Sequence, residues 1–182
     1  MSGVARQNIE IKVRLSAAGP QLVQERLDGF VAAVGHPSVD VDTYFQVPYG
    51  RLKLRVSGDQ PSGTLISYAR PNEAMSRLSH YRLVEIADAQ TLREALSTTL
   101  GVLVTVTKRR TVYIYGSTRI HLDQVEDLGW FVELETVIGT QSHAAALAEH
   151  RDVFDSLRLE NGVIVPESYS DLLLKMPHIP TP

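Results

Sequence analysis

Hydrophobic and polar positions alternate along much of this chain, and many of the polar positions carry charge. Asn8-Ile9-Glu10-Ile11-Lys12-Val13-Arg14, Arg51-Leu52-Lys53-Leu54-Arg55-Val56 and Phe131-Val132-Glu133-Leu134-Glu135 each keep a period of two. In a strand, residues i and i+2 share a face, so each segment has a charged row and an apolar row. Alternation with Val, Ile, Tyr and Thr content predicts strands over 8–15, 41–47, 51–57, 64–70, 79–87, 102–108, 111–116, 118–124 and 130–138. Turn signals separate them at Pro48-Tyr49-Gly50, from Gly58 to Gly63, at Gly116-Ser117 and at Asp127-Leu128-Gly129. The last four strands follow so closely that antiparallel hairpins are required. A helix is predicted over 20–34, with Pro20 in its first turn and Gly35 at its end. A second covers 91–99, with Thr91 and Glu94 as a capping box. A third covers 141–157, with Ser142 as its cap, and a short one lies near 168–175.

These elements predict one α+β domain over 1–182, with its core at 7–174 and a Pro-containing tail at 175–182. The apolar faces must be buried. If the sheet curls into a barrel, helices cover the outside and the charged face lines the lumen. A lumen of Lys, Arg and Glu is too costly unless water, metal or an ionic ligand fills it. A charged lumen is therefore a site; the alternative is an open sheet with one wet face.

Composition narrows the function. Hydrophobic residues are 43% and charged residues 21% of 182, ordinary values for a globular protein. The net charge of −3 gives no basic excess for general nucleic-acid binding. There is no cysteine, which excludes disulfides, thiolate metal sites and cysteine nucleophiles and fits a cytoplasmic location. Met1 to Gln7 lacks the apolar run of a signal peptide, and no stretch is long enough for a bilayer. The expected partner is a small molecule, with neither nucleic acid nor membrane. An apolar face left over by so few helices is compatible with a homodimer.

The candidate inward cations are Lys12, Lys53, Arg55, Arg70, Arg82, Lys108, Arg110 and Arg119. The candidate inward carboxylates are Glu10, Asp123, Glu133 and Glu135. Many cations around few carboxylates suit a polyphosphate with a divalent metal. Arg and Lys neutralise phosphate oxygens, and carboxylates hold Mg²⁺ or Mn²⁺. No phosphate-binding glycine loop is present, so side chains must hold the phosphates. No pair of histidines has zinc-motif spacing, although His121 alternates with Arg119 and Asp123. Ser79 and Ser168 lack a nucleophile-elbow context, and Trp130 and Phe131 read as packing residues.

In order and spacing, these segments resemble the CYTH domain of the triphosphate tunnel metalloenzymes. That family groups class IV adenylyl cyclases, thiamine triphosphatases and inorganic triphosphatases. Its Glu-x-Glu-x-Lys signature is matched by Asn8-Ile9-Glu10-Ile11-Lys12. Asp42-Thr43-Tyr44-Phe45 with Gly50 to Arg55, Leu65 to Pro71, Val106 to Arg110, Arg119 to Asp123 and Leu128 to Glu135 are similar to its later blocks. Glu167 to Leu173 resembles the ending of the cyclase-like branch. The resemblance implies a closed eight-stranded antiparallel β-barrel, the triphosphate tunnel, with helices packed outside. It implies Mg²⁺ or Mn²⁺ on Glu10, Glu133 and Glu135, with Asp123 a ligand or a partner of one. It implies triphosphate binding by Lys53, Arg55, Arg70, Arg82, Lys108, Arg110 and Arg119. Lys12, with Tyr44, would activate a nucleophile or steady the phosphate. The activity implied is cyclisation of ATP to cyclic AMP and pyrophosphate. The alternatives are hydrolysis of inorganic, thiamine or nucleoside triphosphates, and nucleotide or polyphosphate binding without turnover. One departure is Asn8, which stands where the signature has Glu and removes a charge.

Overall fold

The computed structural model describes residues 6–30, 33–69 and 77–177. Its elements in chain order are β1 (Arg6–Arg14), α1 (Gly19–Leu27), β2 (Ala33–Val34), β3 (Ser38–Phe45), β4 (Arg51–Ser57), β5 (Gly63–Ala69) and β6 (Arg77–Ile86). Then follow α2 (Ala89–Leu100), β7 (Val102–Tyr115), β8 (Thr118–Val125), β9 (Gly129–Val137), α3 (His143–Ser156), β10 (Val163–Ile164) and α4 (Tyr169–Leu174).

The strands pair antiparallel in one strongly curled sheet of order β10-β1-β6-β5-β4-β3-β7-β8-β9, with β2 on β7. Strand β1 also pairs with β9. Its residues Arg6 to Glu10 face β6, and Asn8 to Arg14 face β9. The predicted α+β class is the observed one. The turn into β9 depends on left-handed backbone at Asp127 (φ 62°) and Gly129 (φ 90°), conformations that short polar residues and glycine tolerate.

Three elements differ from expectation. The two strands predicted over 102–116 are one 14-residue strand, β7. No glycine or proline interrupts Lys108-Arg109-Arg110, so the chain stays extended. The first part of β7 pairs with β3 and the second with β8. Helix α1 stops at Leu27 rather than 34. Beyond it come Asp28 and Gly29, both poor helix formers, and Phe30 stacks on Tyr115 with ring centroids 4.3 Å apart. Helix α2 starts earlier than predicted because Asp88, not Thr91, caps it. The Asp88 carboxylate accepts hydrogen bonds from the Thr91 amide (3.0 Å) and hydroxyl (2.7 Å). Ser142 caps α3 as expected, and Ser168 with Asp171 forms a capping box on α4.

The two faces of the sheet are buried differently. Ile11, Val13, Ile120, Leu122, Val132 and Leu134 of β1, β8 and β9 pack on Val23 and Leu27 of α1 and Val153 of α3. Phe45 and Leu54 pack on Ala89, Leu92 and Leu96 of α2. Each such buried side chain contributes about 1.5–3 kcal/mol. On the face that carries the charges, Tyr44, Val106, Val125, Phe131, Val165 and Tyr169 form a third cluster beside α4. Among the described residues, no helix is long and apolar enough to cross a membrane.

Candidate functional site

The charged rows meet in a cavity of about 200 Å³. Six cations line it, Lys12, Lys53, Arg55, Lys108, Arg110 and Arg119, against four carboxylates, Glu10, Asp42, Glu133 and Glu135. Cations are therefore in excess among the described lining residues, which favours an anionic occupant.

One group is built around Asp42. Tyr44 pairs with Lys53 and Asp42 with Arg55 across β3–β4, while Asp40 pairs with Lys108 across β3–β7. Facing partners share a side of the sheet, so these side chains converge. Asp42 accepts from Lys53 Nζ at 2.9 Å, Lys108 Nζ at 2.9 Å and Arg55 Nε and Nη2 at 2.7 and 2.8 Å. Burial opposes its charge, but Arg55, Lys108 and Lys53 outweigh burial and hold its carboxyl well below the ordinary value. Asp40 stands behind it, accepting from Ser57 at 2.7 Å and lying 3.6 Å from Lys108. Lys108 is nearly inaccessible. Burial, with Arg55, Arg110 and Lys53 nearby, brings its pKa down to about 8 despite Asp42.

The second group is acidic. In β1–β9 pairing, Glu10 faces Glu135 and Lys12 faces Glu133. One oxygen each of Glu10, Glu133 and Glu135 lie within 4.8 Å of one another. Glu133 is 3.0 Å from Arg110 and 3.8 Å from Lys12. Burial works against its ionisation, yet Lys12 and Arg110 bring its pKa down to about 2. Glu135 is 3.2 Å from both Arg119 and His121. Those neighbours, His121 first, overcome burial and keep it well below the usual range. Three carboxyl groups with oxygens so close, two of them held ionised, suit a hard divalent cation. Asn8 adds a neutral donor two residues before Glu10. It is 3% exposed, lines the cavity, and its Oδ1 has no hydrogen-bond partner among the described residues. The residues present therefore fit a divalent metal.

The CYTH domain family model matches residues 6–169. The chain belongs to the CYTH domain family. Members of this family bind triphosphates and depend on divalent metals. A conserved hypothetical protein of Pyrococcus furiosus shares the fold at TM-score 0.76 and 22% identity, covering 91% of this chain and 99% of its own. A protein named as a candidate adenylate cyclase from Vibrio parahaemolyticus matches at TM-score 0.68 and 16% identity, covering 92% and 97%. A candidate adenylyl cyclase from Hippeastrum, described as having a dominant triphosphatase activity, matches at TM-score 0.63 and 15% identity, covering 93% and 94%. No match was found among curated proteins.

The CYTH domain brings most of the expected side chains together and displaces two. Lys53, Arg55, Lys108, Arg110 and Arg119 line the cavity with Lys12, Tyr44 and the three glutamates. Arg82 does not: it is exposed, while its neighbours Tyr81 and Leu83 line the cavity. The period of two in β6 puts Arg82 on the opposite face. Asp123 lies outside the acidic triad. Its oxygens accept from Arg110 Nε and Nη2, both at 2.6 Å, and from the Tyr169 hydroxyl at 2.8 Å. A carboxylate committed in this way fixes Arg110 rather than a metal. Arg70 lies outside the described residues.

Other lining residues carry no signal in single charges. Asp42 lines the cavity with Asp40 behind it, and the alternation Asp40-Val41-Asp42-Thr43-Tyr44 puts both on the face of Tyr44. Tyr169, at the start of α4, reaches the cavity from the end of the chain. Its ring lies 4.1 Å below Lys12 Nζ, which also donates to the Glu167 carbonyl at 3.0 Å. The Tyr44 hydroxyl sits 3.5 Å from that of Tyr68. Burial, then the charge of Asp42, push the Tyr44 pKa upward, so the group serves as a hydrogen-bond donor.

Proposed function

We propose that this CYTH domain is a divalent-metal-dependent enzyme acting on a triphosphate, with class IV adenylyl cyclase-like conversion of ATP to cyclic AMP and pyrophosphate as the primary reading. The observation that carries it is the division of one cavity into a cation-rich group on Asp42 and an acidic triad. Pairing of β1 with both β6 and β9 supports reading the sheet as a closed eight-stranded tunnel, with β2 and β10 outside the ring. Lys53, Arg55, Lys108, Arg110 and Arg119 would hold the phosphate oxygens, exchanging part of their contact with Asp42 and Glu133 for the ligand. Glu10, Glu133 and Glu135 would hold Mg²⁺ or Mn²⁺, which when bound neutralises phosphate charge and orients the reacting phosphorus. Lys12 steadies charge beside the triad, and Tyr44 donates a hydrogen bond. In cyclisation, the ribose 3′-hydroxyl gives up its proton to water and its oxygen bonds to the α-phosphorus as the bond to the leaving pyrophosphate breaks. Positioning and charge stabilisation supply most of such catalysis.

Hydrolysis is the second reading. It is favoured by the Hippeastrum protein, which carries the cyclase name while its described activity is dominantly that of a triphosphatase. Hydrolysis and cyclisation share one phosphate-binding mode and differ in the nucleophile. The test is product analysis with ATP, tripolyphosphate and thiamine triphosphate, each with Mg²⁺ and with Mn²⁺. Cyclic AMP supports the cyclase, and orthophosphate release the hydrolase. Tight binding without product under either metal overturns the enzyme and leaves a binding module.

A further inference from the structure

Tyr169 is the first residue of α4, and its side chain lines the cavity. Its hydroxyl donates to Asp123 Oδ2 at 2.8 Å. Burial, then the charge of Asp123, push this phenol well above its ordinary value, so it keeps its proton and donates. The same Asp123 oxygen accepts from Arg110 Nη2, and Oδ1 accepts from Arg110 Nε, both at 2.6 Å. Arg110 Nη2 also donates to Glu133 at 3.0 Å. The Nη1 edge of the same guanidinium donates to no group among the described residues, although Arg110 is buried and lines the cavity.

Charge balance does not require the hydroxyl, because Arg110 alone neutralises Asp123. The two face each other across β7–β8. Their paired hydrogen bonds fix one group against the other but leave the pair free to swing as a unit, since both hang from adjacent strands of one sheet. A third bond from a group anchored elsewhere removes that freedom. Tyr169 has such an anchor. Ser168 and Asp171 cap α4, and Arg51 Nη2 of β4 lies 2.6 Å from Asp171. The Tyr169 ring meets Phe131 edge-on at 5.0 Å and lies 4.1 Å from Lys12 Nζ. Asp42 needs no such support, because Lys53 and Arg55 of β4 and Lys108 of β7 already hold it from two strands.

We propose that Tyr169 is a positioning residue of the phosphate site: its hydroxyl pins the Asp123–Arg110 pair so that the Nη1 edge of Arg110 is presented to an anion. Helix α4 is then part of the binding machinery and not only a cover over the third hydrophobic cluster. The proposal rests on the reading of Arg110 as a phosphate ligand and deepens it, by naming what aims the guanidinium. It holds for cyclisation and hydrolysis alike.

Tyr169→Phe isolates the hydroxyl, since it keeps the ring beside Phe131 and Lys12. Tripolyphosphate binding to the full chain, measured by calorimetry with EDTA present, should weaken about tenfold, the scale of one hydrogen bond to a charged group. Arg110→Lys should weaken it as well. Adding Tyr169→Phe to Arg110→Lys should then change the affinity by less than about twofold, because the hydroxyl acts only through the guanidinium. A general loss of packing would instead weaken both backgrounds alike. Unchanged affinity in Tyr169→Phe, or an equal loss in both backgrounds, overturns the proposal and leaves the phosphate reading intact. Absence of tripolyphosphate binding by the wild type overturns that reading instead, and the Arg110 Nε–H then decides the role of Tyr169 by NMR. Its hydrogen exchange should speed about tenfold or more in Tyr169→Phe. Unchanged exchange overturns the proposal.

Discussion

Asp42 is one buried carboxylate that accepts hydrogen bonds from three cations, whereas Glu10, Glu133 and Glu135 crowd three carboxylates within 4.8 Å. Both groups sit in the same cavity, and each breaks local neutrality in the opposite sense. Around Asp42 the cations Lys53, Arg55 and Lys108 outnumber Asp40 and Asp42. In the triad, Lys12, Arg110, Arg119 and His121 approach from the flanks, and Arg110 is shared with Asp123. A buried charge must be compensated or the fold loses stability. Compensation left incomplete in both directions marks one end for an anion and the other for a cation. In the proposed reading, the Asp42 group would hold phosphate-binding cations in place until a ligand arrives, and the triad would take a metal.

The comparison breaks most severely at Asp42. Asp42→Asn leaves buried Lys108 and half-buried Lys53 and Arg55 without their shared counterion and should cost about 3–5 kcal/mol in denaturant unfolding. Tripolyphosphate should restore more stability to this variant than to the wild type, since it replaces the missing anion. A loss under about 1 kcal/mol would show that the cations are satisfied without Asp42. At the other pole, Glu135→Gln keeps the shape but removes one charge from the triad. It should lower kcat/KM at least about 100-fold and weaken Mn²⁺ binding in calorimetry, with unfolding changed far less. Unchanged Mn²⁺ affinity would place the metal elsewhere.

Lys108 sharpens the contrast through pH. Its pKa of about 8 means that it loses its proton as pH rises through 8, and tripolyphosphate affinity should fall by up to about tenfold between about pH 7 and 9. Lys108→Arg, whose guanidinium stays charged, should flatten that profile. Stability runs the other way. Between about 8 and 10.5 the unfolded chain binds more protons at this lysine than the folded one, so its contribution to stability rises with pH while binding falls. Asn8→Glu adds a fourth carboxylate beside Glu10 and should tighten Mn²⁺ by about tenfold. Unchanged or weaker binding would mean that Asn8 Oδ1 is not directed at the metal. The smallest effect is expected at Arg82. Arg82→Ala should alter kcat/KM by less than about twofold, because its side chain is exposed on the face opposite Tyr81 and Leu83.

Much of the site is legible in period-two alternation, and its errors have local causes. Lys53 with Arg55, and Glu133 with Glu135, are paired on one face by spacing alone. Ser79-His80-Tyr81-Arg82-Leu83 alternates too weakly to fix which face points inward, and Arg82 lies on the exposed one. At Asp123, expected as a metal ligand or a partner of one, spacing identifies a face but not a partner: Arg110, 13 residues away, takes its oxygens. The lining residues Ile66, Tyr68, Tyr81 and Leu83 of β5 and β6 are uncharged and leave no such pattern.

The sequence by itself determined which side chains share a face, because strand geometry is local and its period is two. It also determined the cap at Ser142, which depends on a few adjacent residues. Only the tertiary structure decided which faces met. Glu10 reaches Glu133 and Glu135 through the pairing of the first strand with the ninth, and Tyr169 reaches Asp123 from the last helix. Those contacts join residues far apart in the chain, so their register is set by burial of the whole sheet and not by any local pattern.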